Sequence, residues 1–418
     1  MSRAILWFRN DLRTVDNAAF RAAVEQHAEV LPLYIVDPVQ HHEGPFGFAR
    51  SGHRRRAFLW EGLQDLHQAL LALGSGLRVE VGDPADVMRA LCRTWSAEAV
   101  HVQVLYGHEE QVHVRQVMAV VRTVLHPPNT LLHPADLPFP VQNLPRVFTA
   151  FRQAVERDLI VRPPVDAPTR LSTPQGWAQQ AFLPFEPLPS DPRGVLHFRG
   201  GRAAGLERLR HYFATSAPST YKATRNALLG ADNSTKFSPW LAQGSLGARE
   251  VYAALRSHEQ AHGANESTYW ILFELLWREF FQFNAARHGA RLYQHRGIQG
   301  AVPPASHDAE RFARWCAGRT GQAFIDANMR ELAATGWMSN RGRQNVASHL
   351  VHDLGLDWRL GAYWFEHHLL DHDACSNWGN WQYLAGVGND PRAGRRFDPV
   401  RQAGMYDPEG AFVRHWSV

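Results

Sequence analysis

Eight prolines fall between residues 159 and 194: Pro163, Pro164, Pro168, Pro174, Pro184, Pro187, Pro189 and Pro192. Each removes a backbone donor and fixes φ, so this stretch can be neither a regular helix nor a central strand. The patterning differs on its two sides. Upstream, short apolar runs at Ala4–Phe8, Leu31–Val36, Leu77–Val81, Ala99–Leu105 and Thr130–Leu132 predict buried strands. Helical periodicity lies between them at Asn17–Gln26, Arg54–Leu73 and Pro84–Trp95, and less clearly at Val112–Val124. Such alternation predicts a parallel sheet with helices on both faces. After about residue 200 the periodicity is helical almost throughout. The expected architecture is an α/β domain over residues 1–133, a proline-rich connector over 134–199, and a larger all-helical domain over 200–418.

At 418 residues the chain exceeds what one core usually fills, which agrees with two domains. No run of about 18 apolar residues occurs, so no membrane span is expected. The opening residues Met1-Ser2-Arg3-Ala4-Ile5-Leu6-Trp7 lack the apolar core of a signal peptide. Cys92, Cys316 and Cys375 fit neither a disulfide framework nor a zinc knuckle, and a reducing cytoplasm is the simplest compartment. The net charge of +4 permits an anionic partner without requiring one. Neither G-x-G-x-x-G nor the P-loop pattern is present, so the α/β half yields a fold class and no phosphate fingerprint.

Four segments of the helical half carry chemistry. Tyr221-Lys222-Ala223-Thr224-Arg225 is followed by Asn233-Ser234-Thr235-Lys236-Phe237-Ser238-Pro239-Trp240. Ser238 and Pro239 read as a helix start, and the preceding hydroxyls, ammonium and backbone N–H groups suit a pyrophosphate; an ordinary polar capping loop accounts for them equally well. Glu274, Trp277, Arg278 and Phe281 share one helical face, which is either a binding face or an amphipathic helix with a surface ion pair. Asn340-Arg341-Gly342-Arg343-Gln344-Asn345 places two arginines among amides, suited to a planar or anionic ligand or to a charged helix start. Asp371-His372-Asp373-Ala374-Cys375-Ser376-Asn377-Trp378-Gly379-Asn380-Trp381-Gln382-Tyr383 follows His367 and His368. Its i, i+4 His and Asp spacings permit a metal site, but carboxylates that balance Arg341 and Arg343 or accept hydrogen bonds from a ligand are the better reading, and no metal is expected.

In this order and spacing, with Leu6-Trp7-Phe8-Arg9-Asn10-Asp11-Leu12-Arg13 at the start, these segments resemble the photolyase/cryptochrome family over essentially the whole chain. The resemblance implies an antenna domain followed by a helical domain that holds FAD. Tyr221 and the loop Ser234, Thr235, Lys236, Phe237 and Ser238 would hold the phosphates and ribityl chain. Arg343 and Asp371 would form an ion pair beside the flavin ring, Asp373 would meet its hydrogen-bonding edge, and Asn377 would face N5. Glu274, Trp277, Asn340 and Tyr383 would line the cavity for a flipped pyrimidine dimer, with Trp277 stacking on it. Arg225 and Arg278 would contact DNA backbone or the anions of the site.

Gln344 and Tyr383 replace a Met and a second Trp of duplex photolyases, and with the surrounding motifs they resemble the cryptochrome-DASH subgroup. A more polar cavity recovers less of the cost of base flipping, which is lowest in single strands. The implied function is therefore light-driven repair of cyclobutane dimers in single-stranded DNA by a monomer. A blue-light sensor or regulatory flavoprotein is the alternative; the chain's end at Val418, without a signalling extension, favours the enzyme. Trp381 and Trp358 match the flavin-proximal members of an electron-transfer chain. No Trp lies in 303–306, where the surface member is expected, and Trp315 is the candidate substitute. Tyr106-Gly107-His108-Glu109-Glu110 matches the place of a second chromophore, such as methenyltetrahydrofolate held by Glu109 or Glu110; a charged turn into a helix explains the same residues.

Overall fold

The protein's structure is a computed structural model that describes residues 2–44, 46–178, 188–390 and 394–417. Pro184 and Pro187 of the connector lie outside the described residues. Five strands, β1 (Arg3–Phe8), β2 (Glu29–Val36), β3 (Arg78–Val81), β4 (Ala99–Gln103) and β5 (Thr123–His126), pair in the order β3-β2-β1-β4-β5, all parallel. In β1, Ile5 lies opposite Leu31 on one side and Val100 on the other. Successive residues point to opposite faces. Ile5 and Trp7 therefore pack with Met88 and Val117 on one side, while Leu6 and Phe8 pack with Phe20 and Leu66 on the other. The covering helices are α1 (Ala18–Gln26), α2 (His53–Ala72), α3 (Pro84–Trp95) and α4 (His108–Met118). Asn17 caps α1 by accepting from the Phe20 N–H, and Asp83 caps α3 just ahead of Pro84.

The last strand is a correction. Thr130–Leu132 is not a strand; β5 comes earlier, starting at the end of the Val112–Val124 stretch, and α4 ends at Met118. Both backbone groups of Leu132 are satisfied by side chains instead. Thr130 Oγ1 donates to Leu132 O (2.6 Å), and the Leu132 N–H donates to Glu279 Oε2 (3.0 Å). A short buried run has the same apolar signature whether its partner is a strand or a distant carboxylate.

His27 just after α1, His101 in β4 and His126 at the end of β5 form a chain. His27 Nε2 lies 3.2 Å from His101 Nε2, and His101 Nδ1 lies 2.9 Å from His126 Nε2. Burial, then the neighbouring His126, His27 and Arg122, push His101 down to about 4. The folded state holds His101 neutral where the unfolded chain, near 6.5, is protonated. Stability is therefore complete above about pH 6.5 and falls as pH drops toward about 4. A His101→Phe protein should show a flatter Tm over that window; an unchanged slope would place the acid sensitivity elsewhere.

From residue 134 onward the regular elements among the described residues are helices. Helix α5 (Phe148–Glu156) precedes the proline-rich stretch. There follow α6 (Arg202–Phe213), α7 (Ala217–Thr224), α8 (Ser238–Gln243), α9 (Ala248–His262), α10 (Glu266–His288) and α11 (Ala309–Cys316). The last six are α12 (Ala323–Thr335), α13 (Asn340–Ser348), α14 (Trp358–His368), α15 (Ala374–Ala385), α16 (Pro399–Tyr406) and α17 (Ala411–His415). The connector returns to the sheet, where buried Trp177 donates to Pro32 O at 2.9 Å.

The two halves meet tightly. Fully buried Arg13 donates to Gly244 O (2.9 Å), Asp16 O (2.7 Å) and Asn129 Oδ1 (3.0 Å). Gly244 must lack a side chain, because at φ +76° its Cβ would sit 2.0 Å from Asn10 O. This contact sets α8 against the carboxyl end of β1. The strand order reverses between β1 and β4, and the crevice outside strand ends at such a reversal is where α/β sheets bind ligands.

Candidate functional site

A cavity of about 290 Å³ opens among α7, α8, α10, α13 and the segment leading into α15. Tyr221, Arg225, the loop 234–238, Glu274, Arg278, Asn340, Arg343, Asp371 and Asp373 all reach its wall. Residues separated by up to about 150 positions thus converge on one chamber. Trp277, Gln344, Asn377 and Tyr383 do not reach that wall.

The loop 234–238 is held in an unusual shape. Lys236 adopts φ +53°, a left-handed conformation that is costly for a side chain and recurs at functional sites. Its ammonium donates to Gly230 O (2.9 Å), and burial lowers it to about 8. Arg208 of α6 pins the loop from behind by donating to Thr235 O, Ala231 O and Ser234 O, each at 3.0 Å. Arg208 was not singled out in the sequence, since a lone arginine far upstream carries no signal for a loop it reaches only in three dimensions. Helix α8 has only 6 residues, so its end supplies little dipole, and the positive groups on this wall are Lys236, Arg343, Arg225 and Arg278.

Arg343 donates to Asp371 Oδ2 through Nη2 (2.8 Å) and to Met338 O through Nε (2.9 Å). Ser238 Oγ donates to the same Asp371 oxygen at 2.7 Å, so that hydroxyl is already engaged. Asp371 Oδ1 is buried and has no partner. A buried acceptor without a donor costs roughly 1–3 kcal/mol, so this oxygen calls for a donor from a ligand. Asp373 caps α15 by accepting from the Ser376 N–H (2.7 Å), and it also accepts from Gln282 Nε2 (2.8 Å). Asn377 is buried behind it, its amide donating to Ala362 O at 3.0 Å.

The face of α10 is divided. Glu274 and Arg278 turn to the cavity, where Glu274 pairs with Arg225, and Arg278 pairs with Glu279 at 3.2 Å. Burial pushes Glu274 up, and Arg225 pulls it down. Both arginines proposed for DNA contact are thus tied to carboxylates on the cavity wall. Trp277 turns aside and stacks on Phe148 of α5, with centroids 3.7 Å apart and planes at 11°, and it meets Tyr383 edge-on at 5.9 Å. The Tyr383 hydroxyl accepts from Arg395, and Gln344 accepts from Arg341 at 2.7 Å.

Trp381 and Trp315 are neighbours, with centroids 6.4 Å apart, and both touch Phe365. Trp315 is fully buried and donates to Val346 O. It therefore does not serve as a surface terminus, and the expectation that it replaces the exposed member is corrected. Helix α11 turns this face inward onto α13. Phe312 stacks on Trp315 and meets the half-buried Trp364. Trp358 packs instead against Trp378, at 5.6 Å.

A second cavity of about 150 Å³ lies at the strand reversal, bordered by Arg9, Arg50, Glu109, Glu110, Glu366 and His372 among others. Glu109 is paired with Arg50 (2.6 Å), which also grips Glu366 (2.6 Å). His372 faces this side, 3.9 Å from Glu366, while Asp371 and Asp373 face the larger cavity. No group of three or more metal-ligating side chains is poised for a metal among the described residues. No helix among them is long and apolar enough to cross a membrane.

Residues 4–169 match the family model described as DNA photolyase, and residues 270–417 match the FAD binding domain of DNA photolyase. The chain is 47% identical to a cryptochrome DASH of Gloeobacter violaceus, covering 99% of this chain and 85% of that protein. It is 44% identical to a cryptochrome DASH of Danio rerio, with 99% and 82% covered. Among solved structures, a Synechocystis cryptochrome superposes with a TM-score of 0.94 at 41% identity, covering 100% of this chain and 88% of the other. A class III photolyase from Agrobacterium tumefaciens superposes with a TM-score of 0.85 at 28% identity, with 99% and 86% covered. FAD is accordingly the cofactor, and the orphaned Asp371 oxygen, Lys236 and Arg343 suit a ligand that has both ring N–H groups and phosphates.

Proposed function

Because the chain belongs to the photolyase/cryptochrome family, with cryptochrome-DASH relatives along its whole length, we propose that it is a light-driven lyase that splits cyclobutane pyrimidine dimers, preferentially in single-stranded DNA. The observation that carries this reading is the shared cavity wall, where Lys236, Arg343 and Asp371 stand with Glu274 and Asn340. A flavin group and a base brought there would lie within one chamber.

Bound reduced flavin supplies the light-excited electron that opens the dimer, and the protein supplies binding, orientation and electrostatics. Tyr221, Lys236 and the loop around it hold the phosphates. Arg343, fixed by Asp371 and Met338 O, would set a positive charge beside the ring, and the unpartnered Asp371 Oδ1 would take a donor from the flavin. Glu274 and Asn340 offer hydrogen bonds to the dimer bases, and Trp277, seated on Phe148, offers the stacking surface. Trp381 would be the last relay, nearest the flavin, on the inward path for electrons that restore the reduced state. Glu109 and Glu110 at the second cavity are the candidate holders of a folate antenna.

Gln344 and Tyr383 support the single-strand preference. Gln344 carries no ring, and the Arg395 guanidinium lies over the Tyr383 ring, 4.6 Å from its centroid, so neither offers free aromatic area for a flipped dimer. The cavity then recovers less than a two-tryptophan site of the few kcal/mol that extrusion from a duplex costs. The reduced protein should repair a thymine dimer in a single-stranded oligonucleotide at least ~10-fold faster than in the matching duplex, a difference of about 1.4 kcal/mol. Equal rates would remove the role given to Gln344 and Tyr383, and absence of repair in both by flavin-loaded protein would overturn the lyase reading.

A further inference from the structure

Helix α16 has one face turned to the protein and one turned away. Inward, Gln402 Oε1 accepts from the Asn345 amide at 3.4 Å, and the Tyr406 ring lies under the Arg341 guanidinium, 4.4 Å from its Cζ. Outward, Val400, Arg401, Gly404 and Met405 stand at i, i+1, i+4 and i+5, which is one side of a helix. Val400 is 73% exposed and Met405 56%, so two large apolar side chains stand in solvent on one short helix. Between them the Arg401 guanidinium has no hydrogen-bond or ion-pair partner among the described residues.

Gly404 sharpens the question of what this face meets. A glycine inside a helix costs about 1 kcal/mol relative to alanine. A Cβ at Gly404 would meet nothing within 4 Å, and its φ is not positive. Neither packing nor backbone conformation therefore requires glycine there. A bare backbone on a solvent face admits a partner that approaches closely.

Charge selects the kind of partner. Arg341 also has no carboxylate partner among the described residues; it donates to Gln344 Oε1 (2.7 Å) and Asn226 Oδ1 (3.1 Å). It follows Asn340, which is on the flavin cavity wall. Uncompensated positive charge thus continues from the cavity to the outer face of α16. A two-fold contact between copies of this chain would bring that charge against itself, whereas an anionic chain neutralises it.

We propose that the outer face of α16 holds the single strand where it runs on from the lesion, with Arg401 on a phosphate and Val400, Gly404 and Met405 against an unstacked base. The proposal rests on single-stranded DNA being the substrate, as proposed above. Single-strand sites combine cations that track the backbone with flat apolar surface that accepts any base. This face offers both, outside the cavity that takes the dimer, so it grips damaged and undamaged strands alike.

The test is fluorescence anisotropy of the full-length, FAD-loaded protein with dimer-containing single strands of about 4 and about 16 nucleotides, of which only the longer reaches α16. Gly404→Glu adds bulk and negative charge in open space, and it should weaken binding of the longer strand ~10-fold and of the shorter less than ~2-fold. Arg401→Gln should weaken the longer strand ~3-fold and reduce the slope of log affinity against log salt by about 0.7, the share of one phosphate. Gly404→Ala should melt no lower than wild type, because the fold does not need the glycine. Wild-type affinity and salt slope in both Gly404→Glu and Arg401→Gln would overturn the proposal. Equal weakening of both lengths would overturn it by placing the effect in the cavity, and a change of oligomeric state alone would overturn it by making the face a contact between copies. Failure of the underlying reading would look different: wild-type protein that binds neither strand sinks both, while one that holds the longer strand through α16 and leaves the dimer unrepaired keeps the surface and loses the lyase.

Discussion

Asp371→Ala protein should emerge from purification largely stripped of flavin, while Trp277→Ala protein stays yellow. Among the described residues Asp371 is the only carboxylate paired with Arg343, its second oxygen is buried and unpartnered, and it also anchors Ser238. Removing one partner of a buried ion pair typically costs about 3–5 kcal/mol, because the remaining charge is stranded. If half of that appears in the affinity for FAD, the Kd rises by at least ~10-fold. Asp371→Asn keeps the shape and an acceptor while losing the charge, and it should fall between wild type and alanine. The measurement is the flavin-to-protein ratio and the Kd from quenching of flavin fluorescence on reconstitution. Retention at the wild-type level would move the flavin out of this cavity.

The second large effect belongs to Trp277. Its indole lies flat on Phe148, is flanked by Phe281 and Tyr383, and stays half-buried, so it is held rigidly and still offers area to a base. A base stacked on an aromatic platform is worth about 1–3 kcal/mol, so Trp277→Ala should weaken binding of a dimer-containing single strand by about 5- to 150-fold. Flavin content should not change, since the indole does not reach the flavin cavity wall. Phe148→Ala should give a smaller loss of the same kind, by removing what keeps the ring in place. Fluorescence anisotropy with damaged and undamaged strands separates the outcomes. If Trp277→Ala weakens both equally, it contacts DNA without recognising the dimer.

Much of this molecule can be read from local pattern. The alternation of strands and helices, the capped starts at Asn17 and Asp83, and the all-helical half follow from periodicities set by neighbours in sequence. The motif around Asp371 identifies a family because several weak signals occur together in one order. Local pattern misplaced the last strand, because the partner that satisfies Leu132 is Glu279, 147 residues away, and no window of sequence contains both.

The sequence by itself determined the parallel sheet, the helical half and a family that carries a FAD-binding domain. Tertiary structure decided which side chains share a wall. It turned Glu274 and Arg278 into the cavity and Trp277 onto Phe148, although all three lie within two turns of one helix. It buried Trp315 beside Trp381, brought Arg208 behind the loop 234–238, and set His372 on one cavity and its neighbours Asp371 and Asp373 on the other. The physical reason is that periodicity fixes the direction of a side chain only relative to its own element. What that direction meets is fixed by contacts such as Arg13 to Gly244, which the folded chain forms across more than 200 residues.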